Sequence, residues 1–345
     1  MIYIESDYME GAHPQILKRL NETNLEKTTG YGEDGYCASA KEKIRETAGC
    51  PDAAVYFLIG GTQTNAVVLS SLLRPYQGVI SAGSGHVCNH EAGAIERTGH
   101  KVIAIPHENG KISAEGIAAT VKTWMEDGNR THVVMPGAVY ISQPTEYGTI
   151  YSLSELKAIS EVCRSSGLYL YIDGARLAYA LACPENDADI KDIAALCDAF
   201  YIGGTKCGAL LGEAVVFPHG DIVPGFFSYM KQSGAVLAKG RILGLQFDTL
   251  FSDNLYYEVG KPAMAAAARL RQYFAQMNIT EVYGSPTNQI FVVWEDSKLD
   301  TLAQEVDYSY IERYDETHTV IRFCTSWATT DEDIDKLIEV MNGLI

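Results

Sequence analysis

Short apolar runs alternate with helix-like segments over residues 53–217. The strand-like runs occupy residues 55–59, 79–82, 101–105, 132–135, 138–142, 169–172, 199–202 and 215–217. Most of them lack a two-residue alternation of apolar and polar positions, which is typical of strands that are covered on both faces. Helical segments separate many of the runs, and one of them begins with a capping box formed by Ser152 and Glu155. The pattern predicts an α/β fold built on a large, doubly wound, mostly parallel sheet.

The pattern changes beyond Gly220. One or two helices are predicted over residues 226–253 and another over 262–277. Shorter elements follow, with strands at 290–294, 309–311 and 319–323 and helices at 298–306 and 331–344. These elements predict a small α+β C-terminal domain. We therefore divide the chain into an N-terminal arm and helix (residues 1–50), a large domain (51–250) and a small domain (251–345).

A lysine and an aspartate each follow one of the predicted strands. Lys206 lies in a glycine-rich segment after the run at 199–202, and Asp173 directly follows the run at 169–172. About one strand–helix–strand unit separates them, which places both at the carboxyl ends of parallel strands, where open α/β sheets bind ligands. Burial would remove the proton from Lys206 and make it a nucleophile. Taken alone, Lys206 is also compatible with an ordinary loop, but a Schiff-base lysine with an aspartate facing a pyridinium nitrogen is what pyridoxal phosphate requires.

Two further turns are candidate parts of a site. The run at 55–59 leads into Gly60, Gly61 and Thr62 and then into a helix, an arrangement whose backbone N–H groups can bind a phosphate. Many strand-to-helix turns share it, and neither a Gly-x-Gly-x-x-Gly fingerprint nor a P-loop is present. His86 follows the run at 79–82. It would either form a hydrogen bond at the start of a helix or stack on a flat cofactor.

Composition excludes several classes of function. The chain of 345 residues has a formal net charge of −17, which disfavours nucleic acid as a partner. Its eight cysteines form no Cys-x-x-Cys pair, so neither a metal site nor a disulfide framework is predicted, and a reducing cytoplasm is expected. The N-terminus lacks the features of a signal peptide and no apolar stretch reaches membrane-spanning length, so no membrane partner is expected.

The motifs, taken together and in order, resemble those of the threonine aldolases, the low-specificity L-threonine aldolase and β-eliminating lyase group of the fold-type-I pyridoxal phosphate enzymes. The resemblance extends over nearly the whole chain. It rests on Ser6-Asp7, Tyr31-Gly32-Glu33-Asp34, Gly61-Thr62-Gln63 with Asn65, His86 with Glu91-Ala92-Gly93, Asp173-Gly174-Ala175-Arg176, Lys206, Lys231-Gln232-Ser233-Gly234, Lys239-Gly240-Arg241 and Arg322.

The resemblance implies a role for each residue. Lys206 would carry the Schiff base to pyridoxal phosphate, Asp173 would keep the pyridinium nitrogen protonated, and His86 would stack on the ring. The remaining contacts to the cofactor would come from Gly61, Thr62, Gln63 and Ala175, and from Lys231 and Arg241 of a neighbouring subunit. Contacts to the amino-acid substrate would come from Ser6, Tyr31, Arg176 and Arg322. A homodimer or homotetramer with shared active sites is therefore expected.

The implied reaction is the retro-aldol cleavage of L-threonine, L-allo-threonine or a related β-hydroxy-α-amino acid to glycine and an aldehyde. Some family members carry a histidine in the loop that corresponds to residues 143–149, and this chain has none there. The base for the hydroxyl proton would then be His86 or a water that His86 positions. The alternatives are a β-eliminating lyase that releases a keto acid and ammonia, an aminotransferase on the same fold, or a protein that binds the cofactor without turnover.

Overall fold

The computed structural model describes residues 1–344 of the chain. Its strands are β1 (Ile2–Tyr3), β2 (Ala54–Leu58), β3 (Gln77–Ala82), β4 (Val102–Ile105), β5 (Met135–Ser142), β6 (Tyr169–Gly174), β7 (Ala199–Gly203), β8 (Glu213–Phe217), β9 (Gln289–Glu295), β10 (Val306–Asp307), β11 (Ser309–Arg313) and β12 (His318–Cys324). Its α-helices are α1 (Pro14–Glu22), α2 (Gly35–Ala48), α3 (Gly61–Leu72), α4 (His86–Asn89), α5 (Ala94–Arg97), α6 (Ala114–Glu126), α7 (Leu153–Ser166), α8 (Leu177–Ala182), α9 (Ile190–Leu196), α10 (Phe226–Gln232), α11 (Arg241–Leu250), α12 (Leu255–Glu258), α13 (Lys261–Gln276), α14 (Asp296–Leu302) and α15 (Asp331–Asn342).

Seven strands form the central sheet in the order β2-β8-β7-β6-β5-β3-β4. Every neighbouring pair from β7 to β4 is parallel, whereas β8 runs antiparallel to both β7 and β2. The predicted doubly wound, mostly parallel sheet is therefore confirmed, and residues 215–217 belong to its reversed strand. A run that is apolar on both faces has the same pattern in either direction, so the reversal could not be predicted from sequence.

The central strands are buried on both faces because helices cover the sheet on each side. Ile172 and Ile202 contribute to one core with residues of α2, α6, α7 and α9. Their neighbours Tyr171 and Tyr201 point to the other face and pack in a second core with residues of α3 and α10. Successive side chains of β6 and β7 point alternately into the two cores, which explains why both strands are almost wholly apolar.

The strand register brings three functional positions to one edge of the sheet. Ser142 pairs with Asp173 across β5 and β6, and Asp173 pairs with Tyr201 across β6 and β7. Lys206 follows the end of β7 at Gly203. The carboxyl ends of these parallel strands therefore meet as the sequence predicts, in the place where open α/β sheets bind ligands.

The C-terminal part forms a separate antiparallel sheet in the order β11-β12-β9, which shares a core with α13 and α15. The N-terminal arm joins this part, since β1 pairs in parallel with β10. Helices α1 and α2 pack instead on α11. The division of the chain at residues 50 and 250 stays a prediction, but the arm is shared between both parts of the molecule.

The sheet differs from the prediction at the start of β5. Residues 132–135 and 138–142 do not form separate runs, because a short 3-10 turn at Arg130–His132 is followed by the single strand β5. The register of β3 and β5 shifts beside Gly78, which pairs with Pro136, and this irregularity accommodates a proline within an inner strand.

None of the helices within residues 1–344 is both long and apolar enough to span a bilayer.

Candidate active site

Two adjoining cavities open at the carboxyl edge of the sheet. The inner cavity has a volume of about 360 Å³ and reaches Gly60, Asp173 and Glu213. The outer cavity has a volume of about 670 Å³ and reaches Gln289 and Arg322. Six residues line both cavities: Tyr8, His86, His90, Glu146, Arg176 and Lys206. Because they share these walls, the two cavities are parts of one cleft.

Asp173 ends β6 and lies buried at the floor of the inner cavity. Its Oδ2 accepts hydrogen bonds from the Tyr140 hydroxyl at 2.6 Å and from the Asn65 amide at 3.1 Å. Its Oδ1 accepts the backbone N–H of Ala175 at 2.9 Å. The Tyr171 hydroxyl donates to the Asn65 carbonyl oxygen at 2.8 Å and so fixes the orientation of that amide. Three donors hold the carboxylate in one position and leave it available to a cationic partner.

Lys206 is partly buried between the two cavities. Burial lowers the pKa of its amine, and the nearby Arg176 charge lowers that pKa further, although Asp7 and Asp173 act in the opposite direction. The net effect favours the neutral, nucleophilic amine. The hydroxyl of Tyr179 donates to the backbone carbonyl of Lys206 at 2.6 Å and anchors this segment.

The turn before Lys206 requires glycine. A Cβ atom added to Gly203 would lie 2.2 Å from the carbonyl oxygen of Ala175, well inside contact distance. Glu213 supports the same turn from the reversed strand β8: its Oε2 accepts the backbone N–H of Gly204 at 3.0 Å and its Oε1 accepts the Thr205 hydroxyl at 2.8 Å. Burial raises the pKa of Glu213. Sequence reasoning did not identify Glu213, since its partners are recognisable only when β8 lies beside β7.

His86 begins α4 at the wall of the cleft. Its Nδ1 lies 2.8 Å from Oε1 of Glu91, whose side chain is wholly buried. Since an ionised carboxylate can only accept, Nδ1 carries the hydrogen in that state and Nε2 remains for other partners. The Asn65 amide also donates to Oε1 of Glu91 at 2.7 Å, which connects this pair to Asp173. The motif that contains Glu91 was recognised in the sequence, but this contact was not.

Glu146 lies in the loop that lacks a histidine. Its Oε1 accepts the Ser142 hydroxyl at 2.6 Å and the backbone N–H of His86 at 2.9 Å. Burial is the largest cause that raises the pKa of its carboxyl group. Sequence reasoning did not single out this residue as a candidate, because a glutamate in a polar loop has the same appearance as an exposed one.

The two arginines of the cleft differ in their partners. Arg176 forms a bidentate ion pair with Asp7, with Nε 2.7 Å from Oδ2 and Nη2 3.0 Å from Oδ1. Arg322 donates to neutral acceptors instead, namely the side chains of Gln289 at 2.9 Å and Ser309 at 3.0 Å. Its buried Nε has no partner, and no carboxylate within residues 1–344 forms an ion pair with it. Arg322 is therefore a guanidinium of the outer cavity that has no ion-pair partner among the described residues.

The glycine turn forms the other end of the inner cavity. Helix α3 begins at Gly61, and its N-cap Gly60 provides no side-chain hydrogen bond to the first N–H groups. Gly60, Gly61 and Thr62 line the inner cavity, so the positive end of this 12-residue helix opens onto it. The Gln63 side chain points away and donates to the carbonyl of Ser233 at 3.0 Å. The inner cavity thus combines an anion site, an amine and a carboxylate.

Five predicted site residues do not line this cleft in the single chain: Ser6, Tyr31, Gln63, Lys231 and Arg241. Ser6 is buried, although its neighbour Glu5 lines the outer cavity. Arg241 donates to the carbonyl of Thr23 at 2.8 Å, and the Lys231 amine lies 4.7 Å from the centre of the Tyr31 ring. The cleft does bring together Lys206, Asp173, His86, Gly61, Thr62, Ala175, Arg176 and Arg322.

Comparisons with known proteins agree with this geometry. The sequence matches the family described as beta-eliminating lyase over residues 4–297. It is 29% identical to the low specificity L-threonine aldolase of Pseudomonas aeruginosa, with 98% of this chain and 96% of the relative covered. The solved structure of Leishmania major threonine aldolase is 40% identical, with 100% of this chain and 99% of that chain covered and a TM-score of 0.96.

A more distant structure agrees in fold alone. An aspartate aminotransferase variant from Thermus thermophilus is 14% identical and has a TM-score of 0.71, with 100% of this chain and 96% of that chain covered. The architecture is that of the fold-type-I pyridoxal phosphate enzymes, as the resemblance implied. The chain belongs to the beta-eliminating lyase family and, within it, to the group that contains the threonine aldolases.

Proposed function

We propose that the protein binds pyridoxal 5'-phosphate in the inner cavity and cleaves L-threonine, L-allo-threonine or a related β-hydroxy-α-amino acid to glycine and an aldehyde. The observation that carries the proposal is the composition of the inner cavity, in which the Lys206 amine shares walls with Asp173 and with the N-terminus of α3. The relatives named threonine aldolases extend over nearly the whole chain and support the same reaction.

The residues present fit the cofactor. The uncapped N-terminus of α3 offers N–H groups and a positive dipole to a phosphate. Asp173 offers an oriented carboxylate to a protonated ring nitrogen, and Lys206 offers an amine whose lowered pKa suits bond formation to an aldehyde. A volume of about 360 Å³ lies within the range of small-molecule sites. Pyridoxal phosphate, when bound, supplies the electron sink that makes bonds to Cα of an amino acid labile.

The chain's own residues would bind and orient the substrate. Arg322 would pair with its carboxylate, because this guanidinium has no carboxylate partner of its own. Arg176 would assist, although Asp7 already occupies two of its donors. Fixing the carboxylate decides which bond to Cα stands perpendicular to the cofactor ring, and this selects the bond that breaks. His86 would lie against the ring, with its orientation set by Glu91.

The test is direct assay of the products. Purified protein with added pyridoxal phosphate should release acetaldehyde and glycine in equal amounts from L-threonine or L-allo-threonine. Borohydride reduction followed by peptide mapping should label Lys206, and Lys206→Ala should lose both the label and turnover. Bound cofactor with no acetaldehyde from either substrate would contradict the proposal.

Elimination is the second candidate, because the matched family is described as beta-eliminating lyase. That reaction would give a keto acid and ammonia in place of glycine and aldehyde. The same incubations, extended to serine and aromatic amino acids and assayed for keto acid and ammonia, distinguish the two. Keto acid as the main product would favour elimination.

A second copy of the chain would complete the site. The basic residues Lys231 and Arg241 lie outside the cleft. The exposed aromatic residues Phe227 and Tyr229 are close to Lys231 in sequence, and the exposed Tyr31 ring lies 4.7 Å from the Lys231 amine. We infer that Lys231 and Arg241 reach the phosphate of a neighbouring subunit in a homodimer or homotetramer. Mixing subunits that carry Lys206→Ala with subunits that carry Arg241→Ala should then restore one native site per dimer. A fully active monomer in sedimentation would contradict the inference.

We also propose a reducing compartment for the protein. All eight cysteines within the described residues are free thiols. This supports a reducing location such as the cytoplasm.

A further inference from the structure

Glu146 is a carboxylate of the cleft to which the proposed function assigns no role. Of the six residues that line both cavities, it is the only one with an acidic side chain. The cations Arg176 and Lys206 share both walls with it, and Arg322 lines the outer cavity. A substrate that occupies both cavities would therefore meet Glu146 at their shared wall.

The two oxygens of Glu146 are in different environments. Oε1 accepts both hydrogen bonds, from the Ser142 hydroxyl at 2.6 Å and from the backbone N–H of His86 at 2.9 Å. Within residues 1–344, Oε2 accepts no hydrogen bond, and it is not among the enclosed polar atoms that lack a partner. Oε2 therefore opens onto the cleft, while the bonds to Oε1 fix the plane of the carboxyl group.

The charges around Glu146 suit a group that gains and loses a proton. Burial and the Asp173 charge raise the pKa of its carboxyl group, whereas the Ser142 hydroxyl and the charge of His86 lower it. Two hydroxyl groups connect it to Asp173: Ser142 lies 3.1 Å from the Tyr140 hydroxyl, which donates to Asp173 at 2.6 Å. A proton on Glu146 would relieve repulsion between the two carboxylates. The other titratable groups that face it are Tyr140, Tyr147 and Tyr151.

His86 is less suited to receive a proton from the substrate. Its Nδ1 is engaged with Glu91 at 2.8 Å, and its backbone N–H supports Glu146. These contacts hold the imidazole against the wall and make His86 a positioning residue for Glu146. Nε2 of His86 also has no partner in the part of the chain that the structure describes, but the proposed function places that ring against the cofactor, so Oε2 of Glu146 is the acceptor atom left for the substrate.

We propose that Glu146 accepts the proton of the substrate's β-hydroxyl group. The inference rests on the proposed function. The O–H bond breaks and its proton passes to Oε2, and the electrons of that bond form the carbonyl of the leaving aldehyde. The bond from Cα to Cβ would break with its electron pair left on Cα, and a proton added there would give glycine. Pyridoxal phosphate, when bound, would supply the electron sink for that pair. Glu146 then returns its proton to solvent.

Glu146→Gln is the main test, because the amide oxygen can still accept from Ser142 and His86 while the basic oxygen is lost. Glu316→Gln is the matched control, since Glu316 is an exposed carboxylate that lines neither cavity. Three quantities are measured: cofactor affinity from visible absorbance, exchange of the glycine α-hydrogen in D₂O by NMR, and cleavage of L-threonine. Glycine exchange needs the cofactor but no hydroxyl base.

We expect Glu146→Gln to bind cofactor and to exchange the glycine hydrogen within about threefold of wild type, with threonine cleavage slower by about 10²–10⁴-fold. Glu316→Gln should keep all three within about threefold. Cleavage by Glu146→Gln near the wild-type rate would overturn the inference and leave the proposed function intact. Equal losses of exchange and cleavage would overturn it in favour of a structural role. Wild-type protein that neither exchanges nor cleaves would overturn both.

Two further measurements test the role of Glu146 in protein that retains this residue. In apoprotein labelled with ¹³C at the glutamate carboxyl, one resonance absent from Glu146→Gln should titrate above the usual glutamate range. Ser142→Ala removes a hydrogen bond that lowers the pKa of Glu146, so the acidic limb of kcat against pH should move to higher pH. The proposal would be contradicted if the acidic limb of kcat for Ser142→Ala lay at the same pH as in wild type. It would also be contradicted if the Glu146 resonance titrated in the usual glutamate range.

Discussion

Replacement of Asp7 by asparagine tests the charge balance of the cleft. The Asp7 carboxylate is buried, accepts two hydrogen bonds from Arg176 at 2.7 and 3.0 Å, and accepts a third from the Asn288 amide at 2.9 Å. Asparagine has the same shape but presents an amide N–H group to one donor of the guanidinium. The Arg176 charge would then remain in the cleft without a counter-ion.

The expected loss of stability is large. Removing one charge of a buried ion pair typically costs about 3–5 kcal/mol, because the other charge stays desolvated. Glu258→Gln is the control, because it breaks an ion pair with Lys261 in which the side chains are 54% and 60% exposed. Such a pair contributes at most about 1 kcal/mol. Urea unfolding of the apoprotein at pH 7, followed by fluorescence and circular dichroism, gives both differences.

The pH dependence of the loss has a definite sign. Burial alone would raise the pKa of Asp7, but the Arg176 and Lys206 charges lower it overall, below its ordinary value of 3.8. The unfolded state therefore takes up protons at a higher pH than the folded state, and the contribution of Asp7 is present above that value and lost as the pH falls towards the folded pKa. The difference between wild type and Asp7→Asn should shrink below about pH 4. A loss under about 1 kcal/mol at pH 7, or one that does not shrink in acid, would refute the reasoning.

Three further predictions follow from single contacts. Arg322→Lys should raise KM for L-threonine roughly 10- to 100-fold with little change in kcat, because a charge-assisted hydrogen bond contributes about 1.5–3 kcal/mol; an unchanged KM would remove Arg322 from substrate binding. Gly203→Ala should lower the thermal unfolding midpoint and the cofactor content, since its Cβ would lie 2.2 Å from the carbonyl oxygen of Ala175; wild-type values for both would contradict the close approach. His86→Phe should bind cofactor and keep kcat within about tenfold, because the backbone N–H that supports Glu146 remains; a loss of about 10²–10⁴-fold would return the role of base to His86.

The fold and the placement of Asp173 and Lys206 at one edge of the sheet were predictable, because they depend on the local sequence pattern. Continuous apolar runs mark β6 and β7, and parallel pairing places Asp173 opposite Tyr201 at the edge next to Lys206. The start of α7 was predictable for the same reason: the Ser152 and Glu155 capping box forms as the sequence indicates. The direction of β8 was not predictable, because a strand buried on both faces carries no polar stripe that orients it.

The contacts of the three supporting carboxylates could not be predicted, because they form only in the folded chain. Glu91 contacts Asn65, Glu146 contacts Ser142 and His86, and Glu213 of β8 contacts the turn that follows the neighbouring strand β7. Each looks like a solvent-exposed residue when only its neighbours in sequence are considered. The absence of a histidine at residues 143–149 directed attention to a loop that lines the cleft. Only the tertiary structure shows that Glu146 of that loop is connected to Asp173 through the hydroxyl groups of Ser142 and Tyr140.

The charges of the inner cavity bear on the proposed second copy. Glu213, Asp173 and Glu146 line it with the cations Arg176 and Lys206, and Arg176 is already paired with Asp7. A phosphate dianion added to these walls would meet the dipole of α3, which is equivalent to only about half a positive charge. Burial raises the pKa of Glu213 to about 8, which reduces the repulsion by keeping a proton on that carboxyl group but does not attract the anion. Basic side chains from another subunit would provide that attraction, and on this reasoning cofactor affinity should fall when the oligomer dissociates on dilution.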